Sequence, residues 1–321
     1  MKLKSLSWNK IIKDLFIFAV LILIILIFTL LSAKFLRVQN ITNLLRNSAP
    51  IIFISSSLTL LMISGHVDLS VGGILSLSAC TYAVLLQRGV PYLWAILAVL
   101  AMGCLMGLIN GFLVVKLKIV PVISTLATMN FFWGLARLMV PAKKDLIKEG
   151  LPKDIDYFAR QDFLFGIPLS FYVAIIGVII LVILQRKTIL GKYAAAIGGN
   201  STSASLSGIN VALTVQSLYV IVAFFSAVAG LTRASYMKAG DPKAGIGMEL
   251  DAIVAVLLGG TSFFGGSGSV LKTVVAAFVL ICLTVGMSVI GTEPYWQTLI
   301  KGIVLIVALI INHQLTEKVK D

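Results

Sequence analysis

Charged side chains are scarce in this sequence, and their scarcity excludes a soluble fold. Only 12% of the 321 residues are charged, 59% are hydrophobic, and the mean hydropathy is +1.04. Soluble domains contain about 25% charged and roughly 45–50% apolar residues. With half the usual charge, the chain cannot cover a surface that faces water, so lipid must cover most of it. Apolar runs long enough for membrane helices then indicate an all-α polytopic membrane protein.

Acidic residues are scarcer still, at 13 against 26 Lys and Arg, which gives a net charge of +13. A basic chain that binds nucleic acid carries its charge along one face. Here the basic residues lie in short clusters between apolar runs, where they hold the cytoplasmic ends of spans in place and attract anionic lipid. The expected partner is therefore the lipid bilayer, and nucleic acid is excluded.

Histidine, cysteine and nucleotide-binding motifs are also few or missing. Neither His66 nor His313 has a cluster of acids around it, so no metal site or proton relay is predicted. The three cysteines lie within apolar runs, without the spacing of a metal site or a disulfide framework. The glycine-rich stretch 266–273 departs from a phosphate loop because Leu271, not glycine, precedes Lys272. No catalytic residue and no cofactor is expected on this chain.

Apolar runs, by contrast, are abundant, and ten of them form one predicted transmembrane domain over residues 15–312. A helix needs about 20 apolar residues to cross the hydrocarbon core. Two runs are shorter and flanked by glycine, which is typical of re-entrant or broken helices; they are 73–87 and 250–264. The ten predicted spans are 15–33, 47–64, 73–87, 92–114, 120–141, 167–184, 212–231, 250–264, 270–290 and 297–312.

The distribution of basic residues orients these spans. The N-terminal segment, residues 1–14, carries four lysines against one acid and is predicted to stay in the cytoplasm. Ten alternating spans then place the loop 185–211 and the tail 313–321 inside, so that both termini are cytoplasmic, and the loop 142–166 outside. Three basic residues of a predicted outside loop disagree with this scheme: Lys34, Arg37 and Arg46.

Ionisable residues near membrane depth are candidates for the translocation pathway because their placement there is costly. Asp68 follows the second span directly and precedes Ser70. The two residues either line the pathway at a helix break or cap the helix that starts near Ser70.

The stretch 65–73 also faintly resembles 259–266, which suggests an internal repeat with two broken segments.

The second short run begins with two acids, Glu249 and Asp251. They either belong to the pathway or complement the dipole of the helix they start. Because they are two residues apart on a helix, they point in different directions and do not form a catalytic pair. Further pathway candidates are polar residues within or near spans, which either contact a neutral solute or bond to their own helices: Asn110, Ser124, Thr125, Thr128 and Asn130.

The predicted cytoplasmic loop contains a stretch of small residues over 191–210. Asn200 or Ser201 is a good N-cap and Gly208 is a natural helix stop, so the stretch predicts either a short helix or a flexible loop. Small side chains would let another surface pack closely against such a helix.

Several motifs in this order resemble the ribose/xylose/galactose-type permeases of ABC transporters, over about residues 44–312. The coupling-loop motif is Ala196-Ile197-Gly198-Gly199-Asn200 with Ser207-Gly208-Ile209, and the motif after the first break is Asp68-Leu69-Ser70-Val71-Gly72. A third motif is Met248-Glu249-Leu250-Asp251-Ala252-Ile253, followed by Gly259-Gly260-Thr261-Ser262 and Gly265-Gly266-Ser267-Gly268-Ser269. The C-terminal motif is Tyr295-Trp296-Gln297 with Lys301-Gly302. Two departures stand out: Asn200-Ser201-Thr202-Ser203-Ala204 replaces the usual Asn-Pro-x-Ala-Ala, and Gly65-His66-Val67-Asp68 replaces Gly-Gly-Ile-Asp.

The resemblance implies a permease subunit in the bacterial inner membrane that imports a monosaccharide. Its implied partners are a second permease copy or paralogue, a cytoplasmic ABC ATPase that carries ATP and Mg, and an extracytoplasmic sugar-binding protein. The implied contacts with the ATPase come from the coupling loop: Ala196, Gly198, Gly199, Asn200, Ala204, Ser207 and Gly208.

Other functions stay open at this point. A secondary transporter driven by an ion gradient would need an acid at mid-span, whereas the acids here lie at span ends. A membrane-embedded enzyme would need a convergent catalytic set, which the sequence lacks. A non-transporting scaffold would not need glycine-broken spans. Within the same family, an importer of a furanose-like signal molecule would share these motifs.

Overall fold

The structure, a computed structural model, describes residues 8–141, 144–156 and 166–317; of residues 8–16 and 308–317 it describes only the helical backbone. Within these ranges the regular secondary structure is helical, and Ile147 and Gly240 form an isolated β-bridge. The helices are α1 (Trp8–Leu31), α2 (Val38–Ile63), α3 (Val71–Gln87), α4 (Tyr92–Gly111), α5 (Pro121–Leu138), α6 (Leu169–Lys187), α7 (Ile189–Gly199), α8 (Ser201–Leu206), α9 (Val211–Met237), α10 (Met248–Leu258), α11 (Val270–Val289) and α12 (Pro294–Glu317). Residues Phe112–Lys116 continue α4 as a π-helical turn.

Five stretches of the described chain are helices long and apolar enough to cross a membrane: Val38–Ile63, Tyr92–Lys116, Leu169–Lys187, Val211–Met237 and Val270–Val289. Shorter apolar stretches lie in α1, α3 and α12. The all-helical fold is therefore confirmed for the described residues, and five of its helices have the length and composition of membrane spans.

The second glycine-flanked segment differs from its predicted extent of 250–264. The helix α10 has 11 residues and ends at Leu258, which is about half the length needed to cross the hydrocarbon core. Residues 259–269 form turns, in which Gly260, Gly265 and Gly266 have positive φ angles. Gly260 ends the helix, because few other residues adopt that backbone conformation.

The core is centred on α2 and α9. α2 is buried without a break from Ser48 to Ile63, and it packs against α6, α9, α10 and α11. α9 packs against α3 and α4 on its other side. Small residues allow the close approach of α4 and α9, because a Cβ at Gly103 or Gly107 would lie 2.6 Å from atoms of α9.

The loop 142–166 lies partly outside the described residues. Its described part folds back on the ends of α3, α4 and α9. Ile147 pairs with Gly240 in the β-bridge, the Tyr92 hydroxyl donates to Asp154 over 2.7 Å, and the Lys238 ammonium lies 2.6 Å from an Asp156 carboxylate oxygen. These contacts hold the segment close to the helix ends.

Candidate functional site

The break between α2 and α3 is a buried polar turn around Asp68. The Asp68 side chain is fully buried, and its Oδ1 accepts from the amide and from the hydroxyl of Ser70, over 2.8 and 2.6 Å. Ser70 is the last residue before α3, so Asp68 closes the turn that leads into that helix. Asp68 and Ser70 are both fully buried.

Three other helices fix this turn. From α4, the Asn110 amide donates to the Ser70 hydroxyl over 2.6 Å and lies 3.4 Å from Oδ2 of Asp68. From α5, the Thr125 hydroxyl accepts from the Leu69 amide over 3.1 Å. From α9, the Tyr219 hydroxyl donates to the Val67 carbonyl over 3.1 Å. We call the group Asp68, Ser70, Asn110 and Thr125 the polar node, because it joins the first break to its neighbours.

The remaining α5 candidates do not join the polar node. Thr128 donates to the Thr125 carbonyl and Ser124 donates to the Pro121 carbonyl, both within α5. Asn130 is exposed and donates to the Leu126 carbonyl of the same helix. These three side chains therefore donate hydrogen bonds to carbonyls of their own helix, as is common for polar groups in membrane helices.

The two acids of α10 point in different directions, as their spacing predicts. Glu249 is 9% exposed, and a Cβ at Gly72 would lie 2.5 Å from its Oε2, so this side chain packs against the first turn of α3. Asp251 faces α12 instead, where its Oδ2 accepts from the Lys301 ammonium over 2.7 Å. Glu249 thus connects the two broken segments, and Asp251 joins the second of them to α12.

The small-residue stretch folds as two helices, α7 and α8. The predicted short helix is confirmed as α8: the Asn200 side chain accepts from the Ser203 amide over 2.9 Å, and Gly208 ends it with φ of +84°. Most of the coupling-loop candidates lie on the exposed side: Ala196, Gly199, Asn200, Ser207 and Gly208.

Ala204 and Gly198 instead face the bundle. Ala204 is 4% exposed and belongs to the hydrophobic core, together with Ala194 and Ile197. At Gly198 a Cβ would collide with the carbonyl oxygen of Ile63 and with the amide nitrogen of Gly266. The helix α7 is therefore packed directly on both broken segments.

The backbones of three segments meet at this contact. The Gly266 amide donates to the Ile63 carbonyl over 2.8 Å, and a Cβ at Gly265 would lie 2.8 Å from the Gly65 nitrogen and 2.9 Å from the Gly198 Cα. We call Gly65, Gly198, Gly265 and Gly266 the glycine junction. No side chain separates the three backbones at this contact.

Gln185 and Leu206 were not predicted as site residues, because neither belongs to a recognisable motif. The Gln185 side chain of α6 donates to the Gly268 carbonyl over 2.9 Å and accepts from the Val270 amide over 3.1 Å, so it fixes the start of α11. Leu206, the last residue of α8, is 86% exposed. In the sequence, Leu206 stands out only as a single large apolar residue within a run of small and polar residues.

Comparison with known proteins places the chain among transport permeases. A family model described as branched-chain amino acid transport system / permease component matches residues 40–309. The ribose import permease protein of Bacillus subtilis is 35% identical over 311 residues, which cover 97% of this chain and 96% of the relative. The galactose/methyl galactoside import permease protein of Haemophilus influenzae is 32% identical over 328 residues, covering 97% and 98%. No solved structure matches the chain.

Proposed function

Because the chain belongs to the family of branched-chain amino acid transport system permease components, we propose that it is the membrane subunit of an ATP-driven sugar importer. The substrate class comes from its relatives, which are named as import permeases for ribose and for galactose and methyl galactoside. The observation that carries the proposal is the glycine junction, because it links an exposed helical hairpin directly to both broken segments.

The proposed membrane topology has ten segments and both termini in the cytoplasm. Helices α1–α6, α9, α11 and α12 are the full crossings or nearly so. The half-length helix α10 and the turns 259–269 together make the remaining crossing, because α10 starts at the cavity-lining Met248 and the turns reach Gly198 of α7. The helices α7 and α8 lie between α6 and α9 on the cytoplasmic side, next to the basic residues Arg186, Lys187 and Lys192. The segments 1–14 and 313–321 lie on the same side.

The proposed ATPase contact is the exposed side of α7 and α8. ATP and Mg bind to the partner ATPase, and closure of that partner pushes on this surface. The movement passes through the glycine junction to the breaks next to α3 and α11, so ATP binding favours one of two conformations of the permease. The complete importer contains a second permease copy or paralogue and an extracytoplasmic sugar-binding protein.

Leu206 is the best single residue with which to test this contact. Burying a leucine in an interface contributes about 1.5–3 kcal/mol, so Leu206→Glu is expected to weaken ATPase binding by roughly 10- to 100-fold. The measurement is copurification of the cognate ATPase with detergent-solubilised permease at several ATPase concentrations. Leu206→Met keeps the apolar volume and serves as the matched control, which should bind like the wild type. Equal binding by the Glu and Met variants would remove this surface from the proposed interface.

A further inference from the structure

A polar cavity of about 600 Å³ opens between α2, α9, α10, α11 and α12. Its size falls within the range of about 300–1,000 Å³ that is usual for small-molecule sites. Polar and charged side chains contribute a large part of its wall, which is unusual inside a helical membrane bundle. Those that carry the argument are Asn43, Asn47, Arg233, Asp251, Thr284 and Lys301.

The cavity lies at the end of the bundle opposite to the coupling helices. α9 begins at Val211, three residues after Gly208, which ends α8. The first residue of α9 that lines the cavity is Arg233. At 1.5 Å per residue, these positions are roughly 33 Å apart, about the thickness of the hydrocarbon core. With α7 and α8 in the cytoplasm, the cavity faces the extracytoplasmic side, from which an imported solute arrives.

The depth of the cavity is set by the start of the half-length helix α10. Met248 and Asp251, from its first turn, line the cavity, and Asp251 is paired with Lys301 over 2.7 Å. The two side chains are only 22% and 26% exposed, so the pair is largely withdrawn from the surface. Since they neutralise each other, the pair offers hydrogen-bonding oxygen and nitrogen atoms without a net charge.

The rest of the wall supplies both donors and acceptors. The Arg233 Nη1 donates to the Asn47 side-chain oxygen over 3.3 Å, whereas its buried Nε has no partner among the described residues. The Asn47 amide donates to the Asn43 carbonyl, and the Thr284 hydroxyl donates to the Leu280 carbonyl, which leaves the Thr284 oxygen free to accept. Closely spaced donors and acceptors of this kind match adjacent hydroxyl groups.

We propose that this cavity binds a polyhydroxylated solute of monosaccharide size on its way through the membrane. The inference rests on the proposed importer function and adds the place of solute contact within the chain. It assigns Asp251 to the pathway together with Asn47, Arg233, Thr284 and Lys301. It also separates these residues from the polar node, whose members Asp68, Ser70 and Asn110 are fully buried and hold the fold.

Thr284→Val tests the proposal with little risk to folding. The substitution preserves side-chain shape and removes one hydroxyl from the cavity wall. Thr29→Val is the matched control, since the Thr29 hydroxyl also donates to the carbonyl four residues earlier, from a helix that does not line the cavity. Both variants and the wild type are reconstituted in liposomes with the cognate ATPase and binding protein. Uptake of radiolabelled D-ribose and D-galactose is measured together with ATP hydrolysis.

The readout is the amount of sugar moved per ATP hydrolysed. Thr284→Val is expected to lower this ratio about two- to tenfold, the range that one hydrogen bond is worth, whereas Thr29→Val keeps it. A merely structural defect would lower uptake and hydrolysis together. If the wild type takes up sugar and Thr284→Val keeps the same ratio, the cavity inference is overturned while the importer stands. If the wild type takes up neither sugar, the importer itself fails, and the inference with it.

A second measurement tests the access of the cavity from outside. With the three native cysteines replaced by alanine, Thr284→Cys is expected to react with a membrane-impermeant thiol reagent added to intact cells. Thr59→Cys is the control and is expected to stay unmodified, since Thr59 is fully buried in α2 near the end that meets the glycine junction. Equal protection of both cysteines would show that the cavity does not open to the extracytoplasmic side and would overturn the inference.

Discussion

Replacing Gly198 by valine is expected to destabilise the permease strongly and to abolish transport. Even a Cβ at this position would collide with the backbone of Ile63 and of Gly266, and backbone atoms cannot move aside as the end of a flexible side chain can. Overpacking typically lowers the free energy of unfolding by about 1–3 kcal/mol. Because three backbones meet at Gly198, we expect a loss at or above the upper end of this range. The measurement is the thermal unfolding midpoint of the detergent-solubilised protein, followed by uptake in liposomes.

The neighbouring glycine provides the matched control. A Cβ at Gly199 would meet no atom within 4 Å, and the residue is exposed. Gly199→Val is therefore expected to unfold at the wild-type temperature, although its bulk lies on the proposed ATPase surface. If the two valine variants unfold at the same temperature, the three backbones of the glycine junction are not in close contact, and the proposed route of coupling loses its basis.

Asp68→Ala is the second change with a large expected effect. The Asp68 carboxylate is fully buried, accepts from the amide and hydroxyl of Ser70, and lies within reach of the Asn110 amide. Alanine would leave these donors unsatisfied, and a buried unsatisfied group costs about 1–3 kcal/mol. We expect a loss of stability above about 2 kcal/mol and a lower yield of folded protein in the membrane.

Asp68→Asn separates the hydrogen bonds from the charge. Asparagine keeps one acceptor oxygen for Ser70 and is expected to lie between alanine and the wild type in thermal stability. Thermal unfolding of all three proteins in the same detergent gives the order. An alanine variant that unfolds with the wild type and imports sugar at the full rate would show that the polar node is dispensable.

Much of the fold follows from the sequence because membrane helices must be long, apolar and internally hydrogen-bonded. The short helix α8 was also predictable, since its cap Asn200 and its stop Gly208 are local signals. The helix α7 was not predicted separately, because the stretch 191–210 indicated a single short helix, capped at Asn200 or Ser201, or a flexible loop. In the structure two of these glycines permit close packing: a Cβ at Gly191 would collide with the end of α6, and Gly198 lies in the glycine junction.

The candidate site was predictable only where its chemistry is local. The divergence of Glu249 and Asp251 follows from helix geometry alone. The partners of these acids do not, because Gly72 and Lys301 lie far away in sequence and meet them only through tertiary packing. The same reason hides the polar cavity, whose wall comes from five helices.

We propose that this chain moves sugar through coupling to a separate ATPase, and one reconstitution tests this function most directly. The permease is purified with its cognate ATPase, placed in liposomes and supplied with the binding protein loaded with ribose or galactose. We expect the loaded binding protein to raise ATP hydrolysis, sugar to enter only with ATP, and Leu206→Glu to weaken both responses. A chain that recruits no ATPase and moves solute when an ion gradient is imposed would contradict it and would identify a secondary transporter instead.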